Sequence, residues 1–127
     1  MRVLMAEDDE GSQEVATGFL EAAGLVAEVV GDGTQVIERI KADGQRYAAI
    51  LMDMNMPRMD GIETTRALRA MGVNMPIIAV TANAFDEDRE QCLQAGMNDF
   101  VAKPVEAEVL YATLAKRLEV AGDRAGG

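Results

Sequence analysis

Four short apolar runs in this chain end in residues that could do chemistry. Val3 to Ala6 is followed by Glu7, Asp8 and Asp9, Ala48 to Met52 by Asp53, Ile77 to Val80 by Thr81, and Phe100 to Ala102 by Lys103. If these runs are strands of one sheet, three or four carboxylates, one hydroxyl and one ammonium arrive at the same end of it. Carboxylates about 4 Å apart repel by about 4 kcal/mol per pair at an effective dielectric near 20, and one amine cannot neutralise such a cluster. A hard divalent cation with oxygen ligands and retained waters does so, which points to Mg²⁺, with Mn²⁺ as the alternative. Taken singly, each residue has an ordinary explanation: Asp9 as a helix N-cap, Asp53 as a turn residue ahead of Pro57, Thr81 as a strand-end threonine, Lys103 as a surface lysine. Their coincidence at four strand ends favours a shared site.

The elements that must position these residues are legible in outline. The four runs, together with Val26 to Val30, are short and continuously apolar, the pattern of strands covered on both faces. Segments of helical length lie between them. Val15, Phe19, Ala22 and Ala23 form a core-facing stripe that ends at Gly24. Asp32 with Gln35 resembles a capping box that opens a helix carrying Val36, Ile37 and Ile40 and closing at Gly44, and Asp60 with Glu63 repeats the signature before Ile62 and Leu68, with Gly72 as the stop. Two more helices are expected, over about 84–95 with Gly96 as C-cap and over about 105–119 with Val109, Leu110, Leu114 and Leu118 buried. Five strand–helix alternations imply right-handed crossovers and a doubly wound α/β domain, a parallel sheet with helices on both faces. In such a sheet the functional crevice lies beyond the carboxyl ends of the strands. If the order is the flavodoxin-like 2-1-3-4-5, the first and third strands are neighbours, so Glu7 and Asp8 converge on Asp53.

Composition narrows the function. The 127 residues, 49% of them hydrophobic, suit one domain with one core. A formal charge of −10 argues against direct binding to nucleic acid or to anionic lipid. There is no histidine, which removes imidazole bases and His-ligated zinc, and the single cysteine, Cys92, excludes an internal disulfide and fits a cytoplasmic location. No apolar run approaches the roughly 18 residues of a membrane span. Met52, Met54, Met56 and Met59 raise the thought of a thioether copper site, but alternating strand positions face opposite sides and methionine is a common core filler. Cys92 reads as a small buried apolar residue.

The stretches Leu4-Met5-Ala6-Glu7-Asp8-Asp9, Ile50-Leu51-Met52-Asp53-Met54-Asn55-Met56-Pro57 with Met59-Asp60-Gly61, Pro76-Ile77-Ile78-Ala79-Val80-Thr81-Ala82-Asn83-Ala84, and Ala95-Gly96-Met97-Asn98-Asp99-Phe100-Val101-Ala102-Lys103-Pro104 occur in this order. Over residues 2 to 119 the chain resembles a response-regulator receiver domain of two-component signalling, similar to CheY-like stand-alone regulators and to the receivers of hybrid histidine kinases. The resemblance implies that Asp53 is the phosphoacceptor, that Asp8 ligates Mg²⁺, that Glu7 holds it through its water shell, and that the Asn55 carbonyl is a further ligand. It implies that Thr81 and Lys103 contact the phosphoryl oxygens and that Thr81 and Phe100 form the switch, Thr81 moving toward the phosphoryl group and the Phe100 ring turning inward. A cis Lys103–Pro104 peptide and a changed surface over the fourth helix, fifth strand and fifth helix are implied as well. The domain is expected over 1–120, with a flexible tail over 121–127.

Since the chain has no histidine, the resemblance implies that the phosphodonor is another domain or protein, a histidine kinase or a histidine phosphotransfer protein, and that a downstream protein target reads the result. On this reading the protein is a signalling phosphoacceptor that catalyses only its own phosphorylation and dephosphorylation. Two features depart from the commonest pattern: Glu7 stands where many members have Asp, and Phe100 where Tyr is frequent, which removes the phenol hydroxyl from any output contact. The alternatives are a receiver segment of a hybrid histidine kinase, against which Met1 directly before the first strand mildly speaks, and an Mg²⁺-dependent phosphatase with an aspartyl nucleophile. The phosphatase needs a second acid close after the nucleophile, where Asn55 stands, and usually a cap domain.

Overall fold

A computed structural model describes residues 1–54, 56, 59–82 and 86–126, with backbone alone for 86–88 and 119–126. The elements alternate as expected: β1 (Arg2–Ala6), α1 (Glu10–Ala22), β2 (Val26–Val30), α2 (Gly33–Asp43), β3 (Ala49–Asp53), α3 (Gly61–Ala70), β4 (Ile77–Thr81), α4 (Asp86–Ala95), β5 (Asp99–Ala102) and α5 (Ala107–Gly126), with one 3₁₀ turn (Gly44–Arg46) after α2. The strands form one parallel sheet in the order β2-β1-β3-β4-β5. The helical backbone of α5 runs past residue 120, into the segment assigned to a tail by the sequence.

The period of two in each strand sends alternate side chains to opposite faces. Leu4, Ala6, Ile50, Met52, Ile77 and Ala79 meet Val36 and Ile40 of α2, Leu68 of α3 and Cys92 of α4. On the other face Val3, Met5, Leu51, Ile78, Val80 and Val101 meet Ala16 and Leu20 of α1 and Leu110 and Leu114 of α5. Both faces are therefore covered, and β1 from Val3 on, β3 as far as Met52 and β4 as far as Val80 are apolar because they sit in the middle of the sheet. Cys92 is buried as expected, and its Sγ lies 3.7 Å from Met54 Sδ. Met52 is a core residue.

Sequence expectations about burial are corrected in α1, in α5 and at β2. Val15 is 47% exposed and Ala22 and Ala23 are exposed as well, because the inward face of α1 passes through Ala16 and Leu20, one position later, while in α5 Leu110 and Leu114 are buried as expected and Val109 beside them is 45% exposed. An apolar stripe about 100° wide tolerates a one-residue error of phase, and the small Ala16 hides the true centre. β2 is not covered on both faces, since it is the sheet edge, with Val26 48% exposed and Glu28 in its middle. There Arg2 and Tyr47 hydrogen-bond the Glu28 carboxylate, and Arg39 and Arg46 lie 3.6 and 3.3 Å from it.

Caps set the helix starts. Asp9, Asp32 and Asp60 accept from the backbone N–H of Ser12, Gln35 and Glu63 at 2.8, 3.0 and 2.8 Å. Arg69 in the last turn of α3 was not singled out by sequence. Its guanidinium donates to the carbonyls of Gly96, Val73 and Met75 and to Asn98 Oδ1 at 2.8–2.9 Å, and Asn98 Oδ1 also accepts from Ile77 N–H.

Candidate functional site

Glu7, Asp53, Thr81 and Lys103 stand where backbone pairing reaches the last residue of a strand or one beyond. Glu7 N–H donates to Val30 O at 3.0 Å, Asp53 is in register with Val80, Met54 N–H donates to Val80 O at 3.1 Å, and Lys103 N–H donates to Thr81 O at 2.7 Å. The main chain at the carboxyl edge is thus fastened across β2, β1, β3, β4 and β5. Gln13 of α1 adds a bond from its side-chain amide to Glu7 O at 2.6 Å. Gly61 opens α3 so close to the strand that a Cβ there would lie 2.7 Å from Asp53 O. Neither Gln13 nor Gly61 was marked by sequence as part of the site, although the Asp60 cap gave the position of Gly61.

The pole so built is acidic and largely dry. Glu7 and Asp53 are buried and Asp8 is exposed, and one carboxylate oxygen from each lies within 4.8 Å of the other two. Lys103 Nζ is 2.9 Å from Glu7 Oε2 and 3.3 Å from Asp53 Oδ1. Thr81 is 6% exposed at the end of β4. The structure therefore brings Glu7, Asp8, Asp53 and Lys103 together and sets Thr81 at the same edge. Asn55 lies outside the described residues. Asp9, as expected, is spent on the helix: Ser12 N–H holds its carboxyl below the usual range.

The electrostatics follow from burial. Desolvation raises the Glu7 pKa; the Lys103 ammonium opposes this and the Asp53 carboxylate reinforces it. Desolvation also works against the charge on Lys103, but Glu7 and Asp53 outweigh it and hold its pKa above the ordinary value. One ammonium faces two buried acids, with a third acid at the mouth. Glu7 Oε2, despite that ammonium at 2.9 Å, accepts no well-oriented hydrogen bond. Three hard carboxylate oxygens within 4.8 Å of one another, with the Lys103 ammonium facing two of the three acids, fit a divalent cation better than a purely structural ion pair. A cavity of about 350 Å³ opens beside the acids, between α1 and the start of the β5–α5 connection, lined by Ser12, Val15, Pro104 and Val105 as well as Glu7 and Lys103. The Lys103–Pro104 peptide is cis.

A family model described as the response regulator receiver domain matches residues 3–115. The two-component response regulator ORR41 of Oryza sativa subsp. japonica is 40% identical over 118 residues, which span 91% of this chain and 93% of that protein. Hybrid signal transduction histidine kinase K of Dictyostelium discoideum is 35% identical over 94% of this chain, which spans 10% of that kinase. Among solved structures, the receiver domain of sensor histidine kinase PA1611 from Pseudomonas aeruginosa PAO1 superposes with a TM-score of 0.82 and 43% identity, over 93% of this chain and 97% of that one. That structure carries a magnesium ion in its active-site cleft. The relatives thus include a protein of this size and others of which the chain spans a tenth to a sixth.

Proposed function

The chain belongs to the response regulator receiver family, and from that premise we propose that Asp53 accepts a phosphoryl group from a phosphohistidine on a partner histidine kinase or histidine phosphotransfer protein. The observation that carries this reading is the ammonium of Lys103 set between the buried carboxylates of Glu7 and Asp53 at 2.9 and 3.3 Å. A carboxylate is a competent covalent nucleophile, and phosphoryl transfer asks mainly for in-line positioning and neutralised oxygen charge. An oxygen of Asp53 attacks phosphorus, the P–N bond of the phosphohistidine breaks, and the released imidazole nitrogen takes up a proton. Lys103 offers a compact positive charge to the transferred oxygens, and Thr81 a hydroxyl donor.

Glu7, Asp8 and Asp53 are the residues that would hold Mg²⁺, or Mn²⁺ in its place, Glu7 through a metal-bound water. When bound, the ion neutralises charge on the phosphoryl oxygens. The chain's own part is to place the acids: β1 and β3 are adjacent and their ends are paired through the ladder, so the acid ring is set by the sheet.

The acyl phosphate adds about one to one and a half negative charges over the carboxylate. We read Thr81 and Phe100 as the elements that respond, with α4, β5 and α5 as the face that a downstream protein target reads. Leu93 on α4 and Val109 on α5 are 56% and 45% exposed, which supports this face as a contact surface. We take 1–120 as the receiver unit and 121–127 as a tail, into which the helical backbone of α5 continues as far as Gly126. In this reading the protein is a signalling phosphoacceptor acting in the cytoplasm; among the described residues no helix is long and apolar enough to cross a membrane.

Incubation with Mg²⁺ and acetyl phosphate should add one phosphate, seen by intact-mass measurement, and Asp53→Asn should abolish it. Full labelling of the Asp53→Asn variant would overturn the assignment.

A further inference from the structure

Phe100 is half-buried on β5 and packs against the core layer shared with Cys92 and Met97. The guanidinium of Arg89, on the exposed side of α4, lies 4.2 Å from the centre of its ring. At that distance a guanidinium is drawn to the negative face of the ring.

The main chain beneath the ring is fixed from three sides. Phe100 pairs with Ala79 in the β4–β5 ladder, and Phe100 N–H donates to Asp99 Oδ1 at 2.9 Å. Arg117 of α5 donates to Asp99 Oδ2 at 3.3 Å and to the Asn98 carbonyl. With the backbone held, the ring itself is the part left to move, by rotation about χ1, and Arg89 is the charged group that covers it.

We propose that Arg89 is a positioning residue: its guanidinium holds the Phe100 ring in the resting orientation and so sets how readily the α4-β5-α5 face switches. This rests on the reading of Phe100 as a switch residue given above. A cation–π contact at an exposed site biases the ring equilibrium by about two- to fivefold. That is enough to tune a switch whose two states differ by a few kcal/mol, and too little to lock it. Arginine is suited to the task because its planar group stacks on the ring and remains charged at any physiological pH.

The test uses the full chain labelled with 4-fluorophenylalanine, with the ¹⁹F resonance of Phe100 assigned by a Phe100→Leu variant. Arg89→Met keeps a long apolar side chain and removes the charge. In unphosphorylated Arg89→Met, the Phe100 resonance should move part of the way toward its position in wild type carrying beryllofluoride. The rate of phosphate uptake from acetyl phosphate should rise by about two- to fivefold, with unfolding still a single cooperative transition. Arg89→Lys should fall between the two. An unmoved Phe100 resonance, or a moved resonance with a wild-type uptake rate, overturns the proposal. Failure of the phosphoacceptor reading shows separately, as wild type that takes up no phosphate at all.

Discussion

Glu7 and Lys103 leave strands that stand three places apart in the sheet, yet Lys103 Nζ lies 2.9 Å from Glu7 Oε2. Three strand spacings amount to about 14 Å. The separation is closed by the length of both side chains, each carried on the residue just beyond its strand. Lys103 is therefore the tie that spans β1, β3 and β5, and among the described residues it is the cation set against the acids at the centre of the site.

Replacing that tie should cost stability as well as function. Lys103→Ala leaves Glu7 and Asp53 buried without the shared ammonium, and unfolding in urea at neutral pH without divalent cation should show a loss of about 1–3 kcal/mol. Added Mg²⁺ should recover much of it. A variant as stable as wild type in metal-free buffer would show that the two acids are solvated from elsewhere.

Asp8 is exposed while Glu7 and Asp53 are buried, so Asp8 can be changed with little effect on packing. Asp8→Ala should preserve the midpoint of unfolding in metal-free buffer and weaken Mg²⁺ binding by at least tenfold, about 1.4 kcal/mol. Isothermal titration of both proteins decides this, and equal affinity would remove Asp8 from the metal site.

The β2 edge supplies a pH prediction independent of the site. The Tyr47 hydroxyl, with Arg2 and Arg46, holds the Glu28 pKa below its ordinary 4.5, against the opposing effect of desolvation. A carboxyl depressed in the folded state contributes stability that is present above the unfolded pKa and disappears as pH falls through the folded pKa. Between pH 5 and the lower folded value, wild type should therefore lose more stability than Glu28→Gln, and the two curves should run parallel above about pH 6. Parallel curves at every pH would mean the Glu28 cluster carries no net coupling.

Arg69 is a fourth test. Arg69→Met removes a donor from three carbonyls and from Asn98 Oδ1, and should cost about 2–3 kcal/mol in urea unfolding. Amide exchange should quicken first at Ile77 and Asn98, whose N–H groups bond within this knot. Uniform acceleration over the whole sheet would instead point to a global effect.

How much of this was legible in the sequence depends on the range of each interaction. The gathering of Glu7, Asp8, Asp53, Thr81 and Lys103 at one edge was readable, because it follows from where apolar runs end, whereas the strand order entered only as the flavodoxin-like arrangement that the resemblance implies. The N-caps were readable too, since Asp60 and Glu63 interact across three residues. The division of the acids into buried Glu7 and Asp53 and exposed Asp8 was not, because adjacent residues differ only in the direction they take after the strand. Val15 and Val109 were placed inward since a stripe gives a face only to within about one residue of phase. Arg69 looked like any surface charge, and its role depends on carbonyls 27 positions away at Gly96. The contact of Arg89 with Phe100 was hidden for the same reason.

The Arg69 knot has one more consequence. Its acceptors lie where α3 ends and where β4 and β5 begin, the pole opposite the acids. The sheet is thus clamped at its amino end and carries its charge at the other, much as a tuning fork is held at the stem. On the proposed reading, chemistry at the tines would act on a sheet whose strand origins are held in register by this clamp.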